Sequence, residues 1–294
     1  MRFAEIGQQL RQYRLESGLR AEEIAARLGV SRAALYRYEK GEVIKLDTIK
    51  RLAELLKISP LSLLGIGVEY ISRPAFYYER IRAIEETCDQ ILQVFGPVAY
   101  LVTTDAFDSA LAEVYAEAAE AAGTDRAALR AQSDQLLNVL AARKKIYQAR
   151  KPAITAILSV PSLKRFLEGG VAAGVPVSER TRARAKAAAR AEVEHIAALM
   201  EAEPIGVQLG LMASVEPNGN FKIFRSRERA NLAINPFRLD AHPAVQTGVA
   251  MITAADEAIS LHQKCAEQLW REALKGHTAA AKVRELLASV AEPA

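Results

Sequence analysis

Two short helical patterns joined by one tight turn constrain the fold of this chain more than any other feature. The first is AEEIAARL (21–28), and the second is RAALYRYEK (32–40). Gly29 opens the turn between them, because glycine readily adopts the positive φ that a tight turn needs. Ser31 is a good N-cap for the second helix, and Gly41 is typical of a helix end. This arrangement predicts a helix-turn-helix.

Three more helical segments surround this pair. Apolar residues recur at helical spacing over 3–16 and 48–56, and Ser59-Pro60 opens a last short helix. The sequence therefore predicts an all-α, five-helix domain over residues 1–66. Glycines at 65 and 67 mark its boundary with the rest of the chain.

The motif GVSRAALYRYEKGE, preceded by GLRAEEIAARL and followed by LDTIKRLAELLKISPLSLL, resembles the XRE family, whose DNA-binding domain is like that of lambda repressor and Cro. The likeness covers residues 3–65. It implies a lambda-repressor-like fold that binds as a homodimer to a palindromic double-stranded DNA operator. The family commonly has Gln where this chain has Ala21, which cannot make the same contact, and Arg20 is the candidate for the phosphate contact instead.

The second helix is the predicted recognition helix, residues 31–40. Leu35 and Tyr38 lie three positions apart and are expected to face the core, which leaves the opposite side for the major groove. Arginine can donate two hydrogen bonds to guanine, whereas lysine at helix ends suits phosphates. The predicted DNA-binding residues are Arg20, Ser31, Arg32, Ala33, Tyr36, Arg37, Lys40 and Lys45.

The charge distribution agrees with this interpretation. The formal net charge of +4 lies entirely within residues 1–65, which hold 12 Lys and Arg against 8 Asp and Glu, whereas residues 66–294 hold 27 of each. A basic excess confined to one small segment is typical of a DNA-binding module. The alternative is a basic, solvated helix with no role in DNA binding.

Residues 67–96 are predicted to form a connecting amphipathic helix. Pro74 opens it, and Ile81, Ile84, Cys88, Ile91 and Phe95 form an apolar stripe. Such a helix either packs on the next domain or links the two domains and supports a dimer.

Residues 97–294 alternate short apolar runs with helical patterns, which predicts a larger α/β domain for effector binding or dimerisation. Asn218-Gly219 lies between two strand patterns and predicts a hairpin, hence a mixed sheet. The predicted strands are 97–104, 152–160, 205–215, 221–226, 232–239 and 248–254. The predicted helices are 106–122, 126–150, 161–169, 180–202, 254–275 and 278–290.

No catalytic constellation is recognisable in this domain. The chain has no P-loop and no G-x-S-x-G motif, its four histidines include no H-E-x-x-H, and its two cysteines have no C-x-x-C spacing. We therefore expect no enzyme activity, no metal and no cofactor. The sequence also contains no apolar run of membrane-spanning length and no signal-peptide core, which predicts a cytoplasmic protein without a membrane partner.

Several polar residues are candidates for binding a small-molecule effector. Arginines near strand ends can bind an anion, or can form ion pairs at a sheet edge. An aspartate after a strand can orient a ligand, or can simply cap the next helix. The candidates are Asp105, Arg225, Arg227, Asn235 and Arg238. As an alternative, the chain is the DNA-recognition subunit of a stress or toxin–antitoxin system whose large domain binds a protein.

Overall fold

The structure is a computed structural model that describes residues 3–64, 67–96, 98–121, 125–171, 173–214, 219–239 and 246–290. It confirms the predicted fold class, an all-α N-terminal domain followed by a larger α/β domain with a mixed sheet. None of the helices in these ranges combines the length and the apolarity that crossing a membrane would require.

Five helices form the N-terminal unit, which we call the helical domain. They are α1 (Phe3–Ser17), α2 (Ala21–Leu28), α3 (Arg32–Glu39), α4 (Leu46–Leu56) and α5 (Pro60–Leu63). Leu10, Ile24, Leu35, Leu52 and Leu63 come one from each helix, and all five are fully buried in a shared core. Burying each such side chain contributes about 1.5–3 kcal/mol relative to leaving it exposed.

The rest of the chain builds one mixed sheet with helices on both faces, which we call the sheet domain. Its strands are β1 (Val68–Ile71), β2 (Gln90–Val94), β3 (Ala153–Ser159), β4 (Val207–Met212), β5 (Phe221–Arg225), β6 (Ala230–Ile234), β7 (Ala250–Thr253) and β8 (Leu274–Lys275). Its α-helices are α6 (Pro74–Glu85), α7 (Asp105–Glu120), α8 (Arg126–Arg150), α9 (Val160–Gly169), α10 (Glu179–Ala202), α11 (Asp256–Glu272) and α12 (Gly276–Ser289).

The strand order is β1-β7-β6-β5-β2-β3-β4-β8. Strands β2, β3 and β4 run parallel, and every other pairing is antiparallel. One face of the sheet packs against α6–α10 and α12 in the largest core. The other face packs against α11, which contributes Ile259 and Ala266 to a smaller core.

The segment 67–96 is not a single connecting helix. Helix α6 ends at Glu85, while β1 precedes it and β2 follows it within the same sheet. The prediction of one long helix was wrong because apolar residues of β2 happen to continue the helical spacing of the apolar residues on α6. Ile84 on α6, Cys88 in the turn and Ile91 on β2 all enter one core, although only the first belongs to the helix. The domain boundaries 1–66, 67–96 and 97–294 stay a prediction.

The strand predicted over 97–104 is also wrong. Residues 100–102 form a 3-10 helix, and β2 has already ended at Val94. Phe95 and Gly96 have positive φ values of 59° and 113°, which turns the chain out of the sheet. The buried Gln93 side chain holds this turn by donating to the backbone oxygens of Phe95 (3.2 Å) and Val98 (3.0 Å).

The predicted hairpin at Asn218-Gly219 does not pair its flanking strands. Residue 218 lies outside the described residues, but β4 and β5 are separated in the sheet by β3 and β2. The hairpin that does form joins β5 to β6 through residues 226–229, where the Ser226 amide donates to the carbonyl oxygen of Arg229 at 2.9 Å.

Contacts from α1 and α5 join the helical domain to the sheet domain. Gln9 Nε2 on α1 donates to Glu69 Oε1 on β1 at 2.7 Å, and Ser62 Oγ on α5 donates to the carbonyl oxygen of Val68 at 2.8 Å. Arg80 on α6 forms a bidentate pair with the same Glu69, both distances being 2.8 Å. Glu69 is 7% exposed, so this contact is sheltered from water.

Candidate nucleic-acid interface

The turn between α2 and α3 has the geometry that its sequence predicts. Gly29 adopts the left-handed conformation with φ of 68°, and its amide donates to the carbonyl oxygen of Ala26 at 3.2 Å. Ser31 then caps α3, since its Oγ accepts a hydrogen bond from the Ala34 amide at 3.1 Å. These two local contacts set the angle at which α3 leaves the turn.

Helix α3 buries one side and exposes the other. Leu35 is fully buried and Tyr38 is partly buried against the same core, whereas Arg32, Ala33 and Arg37 are exposed. Arg32, Ala33 and Arg37 stay exposed in the presence of the sheet domain, so the described part of that domain does not cover this face. A helix with a small residue between two exposed arginines can approach a major groove closely.

The exposed arginines form ion pairs with acidic neighbours. Arg32 Nη1 lies 2.7 Å from Glu22 Oε1, and Arg37 Nε lies 3.4 Å from Glu42 Oε2. Exposed ion pairs of this kind contribute only about 0–1 kcal/mol. Both arginines can therefore leave these partners at little cost.

Tyr36 was expected on the outer face of α3, but it is half-buried, with its ring packed against the core of the helical domain and its hydroxyl beside Arg32. Its hydroxyl accepts hydrogen bonds from Arg32 Nη2 at 3.2 Å and Nε at 3.4 Å, and the guanidinium carbon lies 5.3 Å from the ring centroid. These hydrogen bonds, with Glu22, raise the pKa of Arg32 above its ordinary value. The pair forms a planar, cationic surface at the start of the recognition helix.

Three further predicted residues flank α3. Arg20 precedes α2 with an 82% exposed side chain, and it lies 4.0 Å from Glu23. Lys40 follows the last residue of α3, and Lys45 precedes α4; both are exposed. Within the described part of the chain, neither ammonium group has a hydrogen-bond or ion-pair partner. Exposed cations at helix ends suit phosphate contacts.

An ion pair between Arg14 on α1 and Glu39 on α3 supports α3 from behind, and the sequence did not predict it. Glu39, at the end of α3, is 8% exposed, and its carboxylate accepts hydrogen bonds from Arg14 Nε at 2.5 Å and Arg14 Nη2 at 3.0 Å. These hydrogen bonds raise the pKa of Arg14. The sequence feature that could have indicated this pair is Glu39, an acidic residue in an otherwise basic helix. A buried carboxylate needs a cationic or hydrogen-bonding partner.

Gly7 lets α1 approach the same end of α3. A Cβ atom at this position would lie 2.6 Å from the carbonyl oxygens of both Tyr38 and Glu39, and 2.7 Å from the amide nitrogen of Gly41. Only glycine permits this separation, because real Cβ atoms do not come so close to backbone atoms. Helix α1 therefore supports α3 through direct backbone packing as well as through the Arg14–Glu39 pair.

Comparison with known proteins agrees with this geometry. A family model described as a helix-turn-helix domain matches residues 5–63. The chain carries a helix-turn-helix domain. This domain contains α3 and all the predicted DNA-binding residues, and it supports binding to double-stranded DNA.

Other comparisons add no argument about function. No curated protein matches the chain. Among solved structures, one similar chain is that of TrmBL2, described as an archaeal chromatin protein that shows a novel mode of DNA binding. The two chains are 10% identical with a TM-score of 0.33, and the match covers 78% of this chain and 61% of the other. This chain thus spans less than two thirds of that one, and a TM-score this low carries no conclusion.

The predicted effector-binding residues do not form one site. Arg225 pairs with Ala230 in the β5–β6 ladder, whereas Phe221 pairs with Ile234 at its other end. Arg225 and Arg227 therefore lie at the turn of the hairpin, and Asn235 and Arg238 follow its opposite end. The spacing of the predicted strands did not show that β5 and β6 are antiparallel neighbours, an arrangement that puts the two pairs of residues at opposite ends of the hairpin.

The individual contacts of these residues are structural. Arg225 Nη2 donates to Gln263 Oε1 at 3.1 Å. The buried Asn235 side chain donates to the carbonyl oxygen of Phe237 at 2.8 Å and accepts from its amide at 2.9 Å. The Arg238 amide donates to Gln246 Oε1 at 2.6 Å, while Arg227 is exposed. Asn235 thus serves a local turn and not an open site.

Asp105 has a different place from the one predicted. The N-cap of α7 is Thr104, whose Oγ1 accepts from the Phe107 amide at 3.3 Å and donates to Glu192 Oε2 at 2.8 Å. Asp105 is the first residue of α7 and is exposed, and it does not directly follow a strand. Thr104 and Asp105 are adjacent residues that could both cap α7. Thr104 is the N-cap, and its hydroxyl also donates a hydrogen bond to the buried Glu192 carboxylate.

Proposed function

We propose that this chain is a sequence-specific transcriptional regulator of the XRE type, which places α3 in the major groove of double-stranded DNA. The observation that carries the proposal is the outer face of α3. No described residue covers it; it exposes Arg32, Ala33 and Arg37, and it is held from behind by the Arg14–Glu39 pair. A rigid, basic helix with a small central residue suits direct readout of base edges.

The roles divide between reading and positioning. Arg32 and Arg37 donate to base edges, and guanine is the base that a bidentate arginine prefers. Tyr36 packs against the edge of a base or reaches a phosphate. Lys40 and Lys45, with Arg20, contact the phosphate backbone and set the register of the helix on the duplex.

The proposal includes a homodimer on a palindromic operator. One recognition helix covers only a few base pairs, so two copies are needed for a specific site, with half-sites about 34 Å apart. The sheet domain supplies the contacts between copies and carries an effector site, and it has no catalytic role. Sedimentation of the full chain at micromolar concentration tests the dimer, and a monomer there contradicts it.

Selection of binding sites from a random DNA library with the full chain tests the function. We expect a palindromic consensus. Arg32→Ala and Arg37→Ala should each lose about 1–3 kcal/mol of operator binding and relax the preference at one base pair in each half-site. Arg227→Ala, an exposed arginine on the β5–β6 turn, is the matched control and should leave binding unchanged.

A salt series separates the phosphate contacts from the base contacts. Lys40→Ala should weaken binding to all sequences alike. It should also flatten the slope of log K against log salt by about 0.9 for each phosphate that the protein no longer neutralises. If no consensus emerges, or if Arg32→Ala and Arg37→Ala weaken all sequences uniformly, specific readout by α3 is ruled out.

A further inference from the structure

A polar cleft separates α1 of the helical domain from the sheet domain. Its volume is about 550 Å³, within the usual range of small-molecule sites, which often lie between domains. Helix α1 lines one wall, with Gln8, Gln9 and Arg11 among its residues. The other wall comes from α6 and from strands β6 and β7, which contribute Asn231 and Thr253. None of the effector-binding residues predicted from the sequence lines it.

One buried side chain without a hydrogen-bond partner lines this cleft. Asn231 is 7% exposed and lines the cleft, and within the described part of the chain its side-chain amide has no hydrogen-bond partner. Gln9 also lines the cleft, but its Nε2 donates to Glu69 and its Oε1, which has no partner, is itself shielded from solvent. A buried polar group without a partner is costly, so a site that leaves such groups at a cavity wall is suited to a polar ligand.

Four arginines of the described chain line the cleft, and two of them are paired with carboxylates of its walls. Arg80 is neutralised by Glu69, and Arg82 by Glu79 and Glu86. Arg11 is exposed on the α1 wall, and no described residue pairs with its guanidinium. An unpaired arginine and an unpaired carboxamide in the lining of one cleft favour a molecule with one anionic group and further hydrogen-bonding atoms.

Helix α1 connects this cleft to the recognition helix. Gln8, Gln9 and Arg11 lie on the cleft side, whereas Gly7 and Arg14 contact the end of α3. Because Gly7 packs directly on the backbone of α3, a displacement of α1 cannot be absorbed there by flexible side chains. A change in the position of α1 is therefore passed to α3.

We propose that this cleft binds a small organic anion, held by Arg11 and Asn231, and that its binding shifts α1 and so changes the affinity of α3 for DNA. The proposal rests on the proposed DNA-binding function, which it deepens by assigning the effector site and the class of effector. A tenfold change in operator affinity corresponds to about 1.4 kcal/mol of coupling. Reciprocity requires the operator to change the affinity for the anion by the same factor.

The test uses the full chain and three probes: inorganic phosphate, citrate and adenosine monophosphate. Thermal denaturation and calorimetric titration are carried out at ionic strength matched with sodium chloride. We expect at least one probe to bind and to raise Tm. Phosphate or the nucleotide alone would indicate a phosphate-bearing effector, and citrate alone would indicate a carboxylate. Arg11→Gln should weaken binding at least tenfold, as should Asn231→Leu, while Arg227→Gln should not.

Operator binding is then measured with and without the bound probe. We expect a change of about tenfold in the wild-type chain, which Arg11→Gln should abolish without altering operator affinity in the absence of the probe. Because Arg11 is exposed, this variant should fold even if Asn231→Leu does not.

Three results overturn the proposal. These are no binding by any probe, equal binding to wild type and Arg11→Gln, or binding that leaves operator affinity unchanged. Failure of the ligand-free protein to bind any operator would instead contradict the proposed function, whatever the probes do.

Discussion

The guanidinium of Arg14 on α1 holds the carboxylate of Glu39 at the end of α3 with two hydrogen bonds, of 2.5 and 3.0 Å. The side chains are 12% and 5% exposed, so the pair is largely shielded from water. A shielded bidentate pair fixes distance and angle together, which a single lysine could not do. The orientation of the recognition helix thus depends on a residue outside the helix-turn-helix pair itself.

Replacing Arg14 by Gln should destabilise the helical domain and weaken DNA binding. It leaves the Glu39 carboxylate buried without its cation, at an expected cost of about 2–3 kcal/mol. Hydrogen exchange of the α3 amides would show the loss, and operator titration would show its consequence. Arg27→Gln, an exposed arginine on α2, is the control for stability. Unchanged exchange in α3 for Arg14→Gln would mean that the pair does not hold the helix.

Gly7→Ala should destabilise the same domain, although alanine is the better helix former by about 1 kcal/mol. The new Cβ would overlap the carbonyl oxygens of Tyr38 and Glu39, so α1 must move away from α3, at a cost of about 1–3 kcal/mol. Thermal denaturation should show a lower Tm for Gly7→Ala, while Gln8→Ala, at the neighbouring exposed position, should not lower it. Equal Tm values for the two variants would show that the close approach is not needed.

The sequence predicted the helical elements well because their signals are local. Helix α2 has the predicted bounds, as does α8. The exposure of Arg32, Ala33 and Arg37 followed from the spacing along α3, whereas Tyr36, expected on the same face, is half-buried against the core. Caps, turns and 3.6-residue periodicity all lie within a few residues of one another.

Strand pairing and long-range contacts could not be predicted in the same way. Strand β2 is buried between β5 and β3, and β1 pairs with β7 nearly two hundred residues away, so neither owes its conformation to its neighbours in sequence. The Arg14–Glu39 pair and the cleft beside Arg11 depend on how α1 packs against other elements. No spacing within α1 distinguishes these two arginines.

A buried ion pair joins α6 to α8, and its loss should be costly. Arg143 is fully buried, and its Nε and Nη2 donate to Glu85 at 2.8 and 2.7 Å, with the rings of Tyr78 and Tyr100 each 5.3 Å from its guanidinium carbon. Arg143→Met should lower the free energy of unfolding by about 3–5 kcal/mol, because it leaves the Glu85 carboxylate without its partner. Urea denaturation followed by circular dichroism measures this.

The double variant Arg143→Met/Glu85→Leu is the matched comparison. Removing both charges should restore a large part of the stability, since a hydrophobic pair of similar volume often replaces a buried ion pair without loss. If the double variant is as unstable as Arg143→Met alone, the packing around the arginine matters more than the pairing of charges.

Stability should rise with pH near neutrality because of Lys222 on β5. Lys222 is half-buried, and partial loss of water around its ammonium group, with the nearby Arg143 and against a smaller opposing effect of Glu85, lowers its pKa to about 7. In the unfolded chain a lysine keeps its proton until about pH 10.4. Above about pH 7 the unfolded state therefore binds more protons than the native state, and the free energy of unfolding increases with pH by up to about 1.4 kcal/mol per pH unit.

Urea denaturation between pH 6.5 and 8.5 tests this. Burial also raises the pKa of Cys88, to about 12, which acts in the opposite direction only as its thiol ionises in the unfolded chain above about pH 9. Lys222→Met should remove most of the rise and should be more stable than wild type at the acidic end of the range, because no ammonium group then has to lose part of its water. Lys264→Met, an exposed lysine on α11, should keep the wild-type slope. Parallel curves for wild type and Lys222→Met would show that Lys222 stays protonated in the folded protein throughout this range.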